Sequence, residues 1–154
     1  MVLRELHEII PSRASFVYET TLTSHQCIAL MRRARAAGYE VNLAFVVLRD
    51  ADLHVERVAF SVAAGGHDIP EASIRRRYET SLVRLVDAIR LCDGAAIFDN
   101  SALSGPFLLM QNSFIEINNL DEAQAFHSLI ASRVGDALGM EAGTAFAAAK
   151  PVPL

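Results

Sequence analysis

Between Gly38 and Arg49 the chain reads GYEVNLAFVVLR, and its middle, Val41 to Leu48 (VNLAFVVL), is almost unbroken apolar sequence. Eight residues are short for a buried helix, and Phe, Val and Val favour extended backbone. A strand without polar alternation is expected to be covered on both faces, as strands inside a parallel sheet are. A second run, Gly94 to Phe98 (GAAIF), ends on Asp99-Asn100. The sequence between them is helical in pattern, which is what a crossover between parallel neighbours requires. This spacing constrains the fold class to α/β, with a mainly parallel sheet and flanking helices.

The remaining segments are read around that unit. Val2 to Ile10 places Leu3, Leu6, Ile9 and Ile10 on one helical face, closed by Pro11. Ser15 to Glu19 (SFVYE) reads as a short buried strand, followed by a turn over Thr20 to Thr23. Ser24 to Ala37 is an amphipathic helix, apolar at 27, 28, 30, 31 and 34, with Gly38 as its stop. Leu53 to Ala64 is helical until Gly65-Gly66 breaks it. Pro70-Glu71 starts another helix, which runs to about Arg90. Pro106 to Ile117 holds one or two strands, or a hairpin. Asp121 to Leu138 is a helix with Asp121 as its cap. Residues 1–138 are expected to form one domain, and the Ala-rich stretch 139–154 a mobile tail.

Composition excludes several classes. The chain has 154 residues, 52% of them apolar, enough for one sizeable core. Its 14 basic and 18 acidic side chains give a formal charge of -4, which argues against general nucleic-acid binding. Cys27 and Cys92 lie in apolar-periodic stretches without CxxC spacing, so they read as reduced packing thiols. No window has the length of a membrane span and the N-terminus lacks the pattern of a signal peptide, so the expected compartment is the cytoplasm.

Functional groups of parallel sheets gather at the carboxyl ends of strands. Glu19, Arg49-Asp50 and Asp99-Asn100 fall at three such ends. Glu19-Thr20-Thr21 combines a carboxylate with two hydroxyls, suited to a metal-bound water or a sugar hydroxyl, and equally to a polar turn capping the next helix. The stretch GGHDIPEASIRRRY, Gly65 to Tyr78, sets Arg75, Arg76 and Arg77 behind a glycine hinge. Consecutive helical residues fan around the axis, so these arginines cannot all face one ligand. With Arg57 on the preceding helix and His67 after the hinge, the segment reads either as a flap closing on polyphosphate or as a solvated helical hairpin. The other histidines, His7, His25, His54 and His127, show no metal-ligand spacing. No GxxxxGKS/T phosphate loop and no GxGxxG is present.

Three stretches carry a family resemblance: FVYETTLTSHQCIALMRRARAAGYEVNLAFVVLRD, RVAFSVAAGGHDIPEASIRRRYETSLVRL and IFDNS. In this order, ETTL, GGHDIPE, IRRRY and DNS resemble the zeta-toxin family of P-loop kinases, over about Ser15 to Ser101. The resemblance implies a phosphotransferase that uses ATP and Mg²⁺ to phosphorylate a UDP-sugar, UDP-N-acetylglucosamine in the family's studied members. By resemblance, Glu19, Thr20 and Thr21 belong to the sugar-nucleotide and metal side of the cleft. Arg57, His67 and Arg75 to Arg77 belong to the flap near the ATP phosphates.

The departures are specific. The family's phosphate-binding loop and catalytic aspartate precede the ETTL strand, whereas here Met1 stands 18 residues before Glu19. Ser61 occupies the place of the second arginine of the family's RVxxRV. Phosphoryl transfer depends on positioning and charge neutralisation, so this polypeptide alone is expected to be inactive or very feeble. The expectation is a truncated zeta-toxin-like kinase, its carboxyl-terminal portion without the phosphate-binding βα unit or its central strand. The alternative is a non-catalytic remnant that binds a sugar nucleotide, a separate amino-terminal half or an antitoxin-like partner. A third reading is an unrelated small enzyme using the arginines on a phosphorylated metabolite.

Overall fold

The computed structural model describes residues 9–101 and 106–147. Its elements are α1 (His25–Ala36), β1 (Asn42–Val47), α2 (Ala51–Ala63), α3 (Glu71–Leu91), β2 (Gly94–Asp99), β3 (Pro106–Gln111), β4 (Phe114–Asn118), α4 (Ala125–Leu138) and α5 (Ala142–Ala147). The four strands form one sheet in the order β1-β2-β3-β4. The chain is thus α/β, but the sheet is mixed. Only β1 and β2 run parallel, while β2–β3 and β3–β4 are antiparallel. The expectation of a mainly parallel sheet is corrected by the hairpin that follows β2. Asn112 and Ser113 both have positive φ, the backbone of a two-residue hairpin turn, so the chain returns without a crossover helix.

The parallel pair is continuous. Asn42 to Val47 partners Gly94 to Asp99 residue for residue. The ladder is extended at one end by Asp93, whose N–H donates to Val41 O at 2.7 Å and whose carboxylate accepts from Val41 N at 2.8 Å. At the other end Asn100 N donates to Val47 O at 2.9 Å. No gap separates β1 from β2.

Strand alternation and register place Leu43, Phe45, Val47, Ala95, Ile97, Leu108 and Met110 on one face of the sheet. Helices α1, α3 and α4 cover that face with Cys27, Ile28, Leu82, Leu85, Ala88, Ile89, Phe126, Ile130 and Val134. The opposite face carries Ala44, Val46, Ala96, Phe98, Leu109 and Ile117, and Val46 on it is 59% exposed. Cover on both faces of Val41 to Leu48 is therefore corrected: within β1, Phe45 and Val47 are buried, whereas Val46 between them is exposed.

Ser15 to Glu19 belongs to no strand, a second correction. Phe16 stacks edge-on against Tyr39 at 5.8 Å, whereas Val17 is 87% exposed. The Tyr39 hydroxyl lies 3.2 Å from the carbonyl oxygens of Ile9, Ile10 and Ala14 and holds this segment to the start of β1 through a side chain. A segment becomes a strand only by pairing its N–H and C=O groups with another strand. Residues 9–12 form a helical turn that includes Pro11, and the rest of the predicted first helix lies outside the described residues. Within the stretch read as a tail, Ala142–Ala147 is helical, and the Asn118 amide donates to Ala145 O at 2.6 Å. Both cysteines are free, and burial pushes the Cys92 thiol up to about 11.

The glycine pair has a steric reason. Gly65 has φ +92°, and Gly66 N donates to Ser61 O at 2.8 Å. A Cβ on Gly66 would fall 2.8 Å from that same oxygen. The chain thus folds back onto the last turn of α2 before α3 begins.

Candidate functional site

The carboxyl ends of β1 and β2 are knitted together by Asp99-Asn100-Ser101. The Asp99 carboxylate accepts from Ser101 N at 2.8 Å, and the Ser101 hydroxyl accepts from Arg49 N at 2.7 Å. Arg57 Nη2 donates to Asn100 O at 2.6 Å, which ties α2 to the end of β2. Helix α2 starts at this rim because Asp50 caps it, its carboxylate accepting from Leu53 N at 2.8 Å. That hydrogen bond is the main reason the Asp50 carboxyl lies below its ordinary value. Asp50→Ala is expected to destabilise the fold by about 1 kcal/mol, the usual worth of an N-cap, measurable as a lowered urea midpoint at neutral pH.

Helix α2 leans over the strand ends and leaves a cleft of about 290 Å³. Val46, Val47, Leu48 and Val58 give it apolar walls; His54, Arg57, Ser61 and Asn100 give it polar groups. His54, Arg57, Val58 and Ser61 are spaced i, i+3, i+4, i+7, one face of a helix. The volume sits at the small end of the range for ligand pockets, room for a charged headgroup and a short body.

His54 is half-buried. Its ring lies 5.2 Å from that of Tyr78 on α3, and the Tyr78 hydroxyl donates to Arg49 O at 3.1 Å. Burial, with smaller contributions from Asp50 and Asp99, pushes the Tyr78 phenol up to about 12, so it stays a neutral donor. Burial, and then the neighbouring Arg57, holds the His54 imidazole below its ordinary value of 6.5, against the opposing pull of Asp50. A depressed histidine leaves the unfolded chain holding more protons, so stability rises with pH across that window. His54's contribution is expected to be complete above about pH 6.5 and to decline as pH falls toward the folded value. His54→Gln should flatten that limb in urea midpoints measured from pH 5 to 7.5.

The other candidate residues lie elsewhere. Arg75 bridges the two helices, pairing with Asp52 at 2.6 Å and Glu71 at 2.7 Å. Its hydrogen bonds to Asp52 and then Glu71 hold its guanidinium above its ordinary value. Arg76 and Arg77 are exposed on α3, and His67 is exposed in the loop before it. Glu19, Thr20 and Thr21 are exposed ahead of α1. The Thr20 hydroxyl accepts from Leu22 N at 3.2 Å, and the Thr21 and Thr23 hydroxyls pair at 2.9 Å. Leu22 itself has φ +57° and is buried, so this loop is pinned into the core by a strained residue. Of these eight candidates, Arg57 alone lines the cleft. His54 and Ser61 join it there by helical spacing.

Among the described residues no three His, Cys, Asp or Glu side chains converge to hold a metal ion. The polar residues that line the cleft are His54, Arg57, Ser61 and Asn100. Among the described residues no helix is long and apolar enough to cross a membrane.

Comparison with known proteins returns one weak relative. An uncharacterized protein of Haemophilus influenzae is 29% identical over 72 residues, which are 47% of this chain and 51% of the relative. The match spans about half the length of each chain, so the two are of similar length. No family profile matches the chain, and no solved structure matches it significantly.

Proposed function

We propose that this chain is the carboxyl-terminal part of a zeta-toxin-like phosphotransferase domain, and that it binds the phosphate end of a nucleotide without transferring phosphate by itself. The observation that carries this reading is the cleft at the carboxyl ends of β1 and β2, roofed by α2, with the Arg57 guanidinium at its rim. Ligands of α/β sheets bind outside the carboxyl ends of strands, and a guanidinium is well matched to phosphate oxygens. The ordered motifs ETTL, GGHDIPE, IRRRY and DNS support the same family. The cleft offers no carboxylate base of its own and no glycine-rich cradle, so ATP would be held by its phosphates alone. UDP-N-acetylglucosamine is the sugar nucleotide that this family reading proposes for the complete domain.

Calorimetric titration of the purified chain with ATP, ADP and UDP-N-acetylglucosamine tests the reading. ATP and ADP should bind at millimolar affinity, on the order of -4 kcal/mol, with no phosphate released or transferred. Absence of nucleotide binding would sink it, and turnover would sink the non-catalytic part.

One observation favours a second reading, a remnant that docks a separate amino-terminal half or an antitoxin-like partner. The open sheet face presents Val46 and, on β4, Phe114, which is 75% exposed. Such a partner would lie on that face or along the free edge of β1, because the β1–β2 ladder leaves no slot for an inserted strand. Co-purification with a co-expressed amino-terminal half, lost on Phe114→Asp, a position outside the cleft, separates this reading from the first.

A further inference from the structure

Resting on the phosphate reading, the geometry points to His54 as the second anchor of the phosphoryl group that Arg57 receives, with its Nε2 donating to a phosphate oxygen once the ring takes up a proton on binding. Three features carry this. His54 stands one helical turn before Arg57, and both line the same cleft. Its Nε2 is shielded from solvent and has no hydrogen-bond partner among the described residues. Buried polar atoms in folded proteins nearly always have a partner, so an unpartnered nitrogen on a cleft-lining ring is a donor that a turn of the ring can offer to a ligand atom. One side of the ring faces Tyr78, whose hydroxyl is fixed on the Arg49 carbonyl.

The charged and titratable surroundings set the direction. On its own helix and cap, Arg57 disfavours the imidazolium and Asp50 favours it. From α3 comes the neutral Tyr78; at the strand ends the Arg49 guanidinium pairs with Asp50 at 3.2 Å and the Asp99 carboxylate accepts from Ser101 N. In the ligand-free cleft the imidazole is neutral at pH 7. A phosphate dianion beside Arg57 reverses the local field and favours the charged ring. The proton comes from solvent, no covalent bond of the ligand changes, and Nε2 gains the N–H that donates. The ligand class is a phosphate monoester or the terminal phosphate of a polyphosphate, and its affinity is coupled to pH through one proton.

Sulfate is a suitable probe, since it keeps both charges from pH 5.5 to 8. Calorimetric titration of the full chain in two buffers of different ionisation enthalpy reads proton uptake directly. The expected result is uptake approaching one proton per sulfate near neutral pH, with affinity falling toward tenfold per pH unit as pH rises. His54→Gln should bind sulfate at the wild-type high-pH affinity at every pH, with no proton uptake. The His54 ring resonance in the wild-type protein, titrating at higher pH with sulfate than without, gives the same answer without a variant. Wild-type binding that is independent of pH and takes up no proton overturns this inference and leaves the phosphate reading standing. No sulfate binding at any pH overturns both.

Discussion

Leu85→Ala is expected to cost about 2–5 kcal/mol of stability, the range for emptying a fully buried leucine site. Leu85 is completely inaccessible and belongs to the core that α1, α3 and α4 build against one face of the sheet. With the opposite face open, that single layer carries the fold, and little else can collapse into the space. A domain of this size has about 5–15 kcal/mol in hand, so the variant should lose much of it. Urea unfolding followed by circular dichroism should show a lower midpoint with an unchanged slope. Val83, two residues away on the same helix, is 59% exposed, and Val83→Ala should stay within about 0.5 kcal/mol. Equal costs at the two positions would mean that α3 does not pack as described.

Arg57→Ala is expected to weaken ADP and sulfate binding by about 10- to 100-fold, the worth of one charge-assisted hydrogen bond of about 1.5–3 kcal/mol. The side chain also ties α2 to Asn100, so the loss has two sources. Arg57→Lys separates them. It keeps the charge but not the fork that reaches Asn100 and the ligand together, so it should recover only part of the affinity. Arg75→Ala is the contrast, because Arg75 is occupied by Asp52 and Glu71. It should leave ligand affinity nearly unchanged while loosening the contact between α2 and α3. A result in which Arg75→Ala removes binding and Arg57→Ala does not would place the ligand outside the cleft.

Particular residues show what could be read from the sequence. The apolar runs of β1 and β2 and the helical stretch between them are legible, because a buried parallel pair leaves few other patterns. The open face of β1 is not, since Val46 is as apolar as Val47 and only the placing of the helices distinguishes them. Ser15 to Glu19 has a strand's composition, but composition does not supply a backbone partner; Tyr39 takes hold of the segment instead. The β3–β4 hairpin turns on Asn112-Ser113, a weaker signal than the Asn-Gly such turns favour. In the candidate site, the three consecutive arginines of α3 are the strongest charge signal in the sequence, yet none of them lines the cleft. Helical spacing from Arg57 would have led to His54 and Ser61, and the Arg75 ion pairs follow from Asp52 and Glu71 only once α2 and α3 are side by side.

The central claim is that a phosphate-bearing ligand sits between the carboxyl ends of β1 and β2 and the His54, Arg57 and Ser61 face of α2. Titration of the isotopically labelled chain with ADP, followed by amide resonances, tests it most directly. The account predicts saturable shifts confined to residues 46–50, 54–61 and 99–101. Shifts at residues 19–23 or 67–77 with none at the cleft, or no shifts at all, would contradict it.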